Sequence, residues 1–174
     1  MSRVSSVWKY GVLGAVVTLA AVGAKAQGLI NNPKISAALA NQLVGDSVAA
    51  CAAKGYKVVA VVVDLDGVRQ AMLRGDGAPV HSIDNAYYKA YSAASITLGR
   101  NEGSTKEVAN RMAKNPPSNV PQTPLPNVTY AVGGVTIKAN NVAIGAIGVS
   151  GAPGGNFDEE CATTALAKIQ DKLK

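Results

Sequence analysis

Seven consecutive residues, Lys57 to Val63 (KVVAVVV), decide much of what this chain can become. Side chains alternate across an extended backbone, and here neither side offers a polar face to water. Such a β-branched run marks a strand covered on both faces. Asp64-Leu65-Asp66-Gly67 has turn chemistry, and Val68 to Arg74 reads as a second strand, so the two form an antiparallel hairpin. Upstream, residues 33–54 are predicted to be a helix, with Asn32 as cap, Pro33 in the first turn and Gly55 at the stop. Further helices are expected over 82–98, 104–115 and 157–173, the second opened by the capping-box pattern Ser104-Thr105-Lys106-Glu107. Three short strands are expected at Thr129–Val132, Val135–Lys138 and Val142–Val149, after a proline-rich loop over 115–128. The order α-β-β-α-α-β-β-β-α implies one antiparallel sheet with helices packed on it. A doubly wound parallel sheet would alternate strands with helices throughout.

The first 26 residues are expected to be a signal peptide. Arg3 and Lys9 form a basic start, Tyr10 to Ala24 is apolar or small, and Ala24-Lys25-Ala26 has the small-x-small cleavage pattern. The apolar run falls short of the roughly 20 residues a membrane-spanning helix needs. Cutting before Gln27 leaves one domain over 27–174, with periplasmic or secreted localisation. It also lowers the formal charge from +6 to +3, because 14 Lys and Arg then stand against 11 Asp and Glu. No basic run or interleaved aromatic stripe remains, which argues against a nucleic-acid partner. One His and two Cys are too few for a structural zinc site.

Cys51 and Cys161 each continue the apolar stripe of a terminal helix. They read either as a disulfide, which export would favour, or as two buried thiols. The glycine-rich run Gly145 to Gly155 joins a strand to a helix, but Asp158, Glu159 and Glu160 in that helix's first turn repel anions. It reads as a tight backbone turn rather than a phosphate loop. Asp64, Asp66 and Gly67 resemble part of a calcium loop without its twelfth-position Glu, and the hairpin accounts for them. No nucleophile elbow accompanies His81, so hydrolytic catalysis finds no support. His81 itself, at the start of the helix after Ser82, reads either as a solvated helix-end residue or as an iron ligand. Tyr87, Tyr88 and Tyr91 follow on that helix and suit either packing or a planar ligand. Arg74 and Lys89 are cations able to pair carboxylates such as haem propionates.

Several segments together resemble the GlcG/HbpS-type haem-binding family. They are the hairpin Val58–Leu73, RGDGAPVHS (Arg74–Ser82), KAYSAA (Lys89–Ala94), and IGAIGVSGAPGG followed by Asp158-Glu159-Glu160-Cys161-Ala162. The resemblance runs from Ile35 to Ile169. It implies an α/β (α+β) profilin-like sandwich, an antiparallel sheet of about five strands flanked by helices, and homo-oligomers. Some members of that family bind haem, including exported ones linked to redox sensing. Others accompany glycolate-utilisation genes, are fused to cobalamin adenosyltransferases, or are described as haem-degrading. The resemblance therefore implies a haem b protein with His81 on the iron, the tyrosines against the porphyrin and Arg74 or Lys89 at the propionates. Partners would be haem, further copies of the chain and a membrane sensor. A haem-degrading or other small-molecule enzyme, and an accessory or oligomerisation protein, are the alternatives.

Overall fold

The valine run supplies one of the two central strands of a four-stranded antiparallel sheet in the computed structural model, which describes residues 28, 30–114 and 123–174. Strand β1 (Val59–Asp64) is buried at every position, as its composition demands. It pairs on one side with β2 (Arg69–Arg74) and on the other with β4 (Val142–Ser150), and β4 pairs in turn with β3 (Gly134–Ala139). The spatial order is β2-β1-β4-β3. Helices α1 (Ala37–Ala52) and α4 (Gly155–Ile169) pack together on one face. Helix α2 (Ser82–Ala93) covers the other and leads toward α3 (Thr105–Lys114). Residues Asn32–Lys174 form one compact unit. The expected signal peptide lies outside the described residues.

Strand alternation sorts the two cores. Val58, Ala60 and Val62 face α1 and α4 beside Leu43, Val44, Ile137, Ile147, Val149 and Ile169. Val59, Val61 and Val63 face α2, where the cover is mostly alanine: Ala86, Ala90, Ala93 and Ala94. Small residues let α2 sit directly on the β4 backbone. A Cβ on Gly148 would collide with the Ala86 carbonyl oxygen and the Ala90 amide nitrogen. The glycine-rich run is thus a requirement of close packing. Cys51 and Cys161 form a disulfide between α1 and α4, with Cα atoms 5.5 Å apart.

Two expectations change. Helix α1 is capped by Ser36, not Asn32, because the Ser36 hydroxyl is the group that accepts from the Leu39 amide, at 3.2 Å. The sheet has four strands, since Thr129–Val132 forms none. The edge of β3 where a fifth strand would add is taken by the start of α3. There Thr136 N–H donates to the Gly103 carbonyl at 2.9 Å, and Ser104 bridges Val135.

Candidate functional site

Helix α2 starts where the Gly75–Pro79 turn ends. Arg74, the last residue of β2, donates from Nε to the Ala78 carbonyl at 2.9 Å and from Nη2 to the same oxygen, tying the strand to that turn. His81 follows in the position before α2. It is exposed, and its side chain caps no helix amide. The helical period returns the His81 stripe to the surface at Tyr88, two turns on. Tyr88 is 36% exposed, with its ring centroid 5.9 Å from that of Tyr87. Tyr87 is turned inward. Its hydroxyl donates to the Gly67 carbonyl at 3.2 Å, and Tyr91 meets its ring edge-on at 6.0 Å. Gly67 has φ +76°, and a side chain there would overlap the Tyr91 ring.

Lys89 sits differently from the surface cation its chemistry suggests. One further residue along α2 rotates it about 100° from Tyr88, into the sheet. Its ammonium is buried, donating to Asp158 Oδ2 at 2.7 Å and to the Val149 carbonyl at 3.1 Å. Asp158 Oδ1 accepts from the Ala152 amide at 3.0 Å, so this ion pair fastens α2 to the Gly151–Gly155 turn and to α4. Burial pushes the Asp158 carboxyl above its ordinary range, with Lys89 and the Ala152 amide opposing. Burial likewise raises Glu159, whose Oε1 accepts from the Ser104 hydroxyl at 3.2 Å.

The calcium-like carboxylate is also spent on structure. Asp64 Oδ1 accepts from the Asp66 and Val68 amides, both at 3.0 Å, and Oδ2 from Lys34 Nζ at 2.9 Å and Gln70 Nε2 at 3.2 Å. Burial works against its ionisation, but Lys34 and the two amides outweigh that and hold the carboxyl below its ordinary range.

The edge strand β2 completes the site. Helix α2 packs across β1, β4 and β3, leaving β2 beyond its cover on that face. Arg69, Met72 and Arg74 pair with Val63, Val61 and Val59, so all three lie on the α2 side. They form a ledge with Met72 49% exposed between two arginines. Tyr87 borders it: the Arg69 guanidinium carbon lies 3.5 Å from the Tyr87 ring centroid. Residue order alone groups His81, Arg74 and the tyrosines, and nothing in it singles out Arg69 or Met72. The signal that places Arg69 on this face is an irregularity in the hairpin at Val62/Val63, which no residue spacing announces. A cavity of about 300 Å³ lined by Val48, Ala52, Tyr56, Lys57, Val58 and Asp76 includes none of the candidate residues.

The chain matches the sequence model of the family described as "HbpS-like: Haem degrading protein HbpS-like" over residues 35–167. No curated protein sequence matches it significantly. Among solved structures it is similar to a double mutant of Streptomyces reticuli HbpS, at 30% identity and TM-score 0.71, covering 85% of this chain and 95% of that one. It is also similar to Klebsiella pneumoniae protein ORFY, at 28% identity and TM-score 0.68, covering 84% and 99%. The PduOC:Heme complex shares its fold at 23% identity and TM-score 0.68, covering 79% and 96%.

Proposed function

The chain belongs to the HbpS-like family, and from that premise we propose that it is an exported haem-binding protein that sequesters haem b or reports redox state. The observation that carries this reading is His81. In a chain matching a haem family, its imidazole stands exposed at the start of α2 with no capping duty, and α2 packs on the face of the sheet that also carries Arg69, Met72 and Arg74. The chemistry of the ledge fits a porphyrin. It offers the apolar Met72 and two guanidinium groups, and the start of α2 adds the His81 imidazole, the Tyr88 ring and the exposed Val80. No cavity described encloses these groups, so the ligand would lie against the surface or between copies of the chain. Bound haem would supply a redox-active iron.

Each residue then has a task of its own. His81 would hold the iron through a ring nitrogen, Tyr88 would pack against the porphyrin, and Tyr87 with Tyr91 keeps the hairpin turn against α2. Of the two expected cations Arg74 is the exposed one, since Lys89 is buried against Asp158. Homo-oligomers and a membrane sensor partner belong to the same proposal. Export is supported by the Cys51–Cys161 disulfide, a bond that persists in oxidising compartments.

Titration of the chain from Gln27 onward with haemin tests the reading. A saturable shift of the Soret band is expected, and His81→Ala should change both its position and the affinity. No saturable shift removes the binding proposal; an unchanged spectrum in His81→Ala removes the ligand assignment. The family's printed description favours one second reading, haem degradation. It predicts loss of the Soret band with a product appearing under reductant, beyond what peroxide alone causes.

A further inference from the structure

We infer that Arg69, a residue with no distinguishing mark in the sequence, recognises a carboxylate of the planar ligand in this site; the inference rests on the function proposed above. Three observations meet on it. First, the guanidinium is oriented. Its central carbon is 3.5 Å from the Tyr87 centroid, and at that separation an upright guanidinium would drive a nitrogen into the ring, so the group lies flat on it. Tyr87 is itself immobilised by its bond to the Gly67 carbonyl and by Tyr91. A guanidinium lying flat keeps its N–H donors in the plane parallel to the ring, directed sideways rather than into the protein.

Second, those donors are unspent. Among the described residues the Arg69 side chain has no acid within ion-pair distance and donates no hydrogen bond. The neighbouring cations are engaged: Lys34 with Asp64 and Asp66, Lys89 with Asp158, and Arg74 with the Ala78 carbonyl. Third, Arg69 is exposed on the α2 side of β2, the face it shares with Met72 and Arg74. A planar fork held in place with free donors is suited to bidentate capture of a carboxylate, which a lysine ammonium does not reproduce. The ligand class is therefore a flat, largely apolar ring system carrying carboxylates, as in a porphyrin with propionate arms.

The experiment compares haemin with haemin dimethyl ester, whose carboxylates are masked, on the wild type, Arg69→Gln and Arg69→Lys. Haemin affinity should fall roughly tenfold in Arg69→Gln and recover only partly in Arg69→Lys, as expected for loss of one charge-assisted pair. The ester should bind wild type and Arg69→Gln equally. Haemin bound equally by wild type and Arg69→Gln overturns the inference while leaving the proposed function intact. Equal losses for haemin and ester also overturn it, since Arg69 would then merely support the fold. Absence of saturable binding of either ligand to wild type overturns the proposed function and the inference together.

Discussion

The two faces of the sheet are covered by different chemistry. Against α1 and α4 the core is mostly branched aliphatics, among them Leu43, Val44, Ile137, Ile147 and Ile169, and a disulfide joins the two helices. Against α2 they are alanines and tyrosines, with polar groups such as Ser82, Lys89, Ser92 and Thr136 buried among them. The first face stabilises by burying methyl and methylene groups, which asks little of geometry. The second depends on close backbone approach and on specific buried polar pairs, Lys89 with Asp158 and the Thr136 hydroxyl with the Ala93 carbonyl, and those same demands fix side chains at its rim. Placing a ligand needs the second kind of construction. Its rim holds His81, Tyr88 and the β2 ledge.

Each face can be broken separately. The largest loss is expected from replacing both Cys51 and Cys161 by Ala. Their sequence separation is 110, and releasing a loop of that size should lower the unfolding free energy by about 4 kcal/mol in urea titration. Haemin affinity of the folded fraction should stay unchanged, because the staple lies on the far side of the sheet. Lys89→Met should cost somewhat less, about 3 kcal/mol, by leaving the Asp158 carboxylate buried without its cation. This variant should also weaken haemin binding, since it loosens α2. Equal effects of the two changes on the ligand would erase the distinction between the faces.

A smaller effect is expected at Asp64, at the end of the hairpin. Its folded pKa lies below its unfolded one, so its stabilisation is in place above about pH 4 and is lost as pH falls through the folded value. Lys34, raised mainly by its hydrogen bond to Asp64, stays charged throughout that window. Urea midpoints for Asp64→Asn should therefore converge with wild type on acidification and diverge toward neutrality. A constant gap from pH 3 to 7 would contradict this.

Much of this was readable from residue order because local rules and the fold agree. The valine run, the Asp-Gly turn and the Ser104 cap each determine their own element within a few residues. The disulfide was legible as an alternative, since both cysteines lie on the apolar stripes of their helices. What escaped depends on distant partners. The inward turn of Lys89 is set by Asp158, 69 residues later. A fifth strand fails because residues 103–105 reach the β3 edge from elsewhere in the chain. Arg69 reaches the α2 side only through a hairpin irregularity. The candidate site was thus half visible: His81, Arg74 and the tyrosines stand close along the chain, whereas the ledge exists only once the hairpin is folded.

Amide hydrogen exchange of the chain from Gln27 onward, with and without saturating haemin, tests the central claim most directly. New protection is expected along β2 from Arg69 to Arg74 and around His81 to Tyr88, with α1 and α4 unchanged. Protection confined to the α1 side, around Val48, Tyr56 and Lys57, would contradict the account.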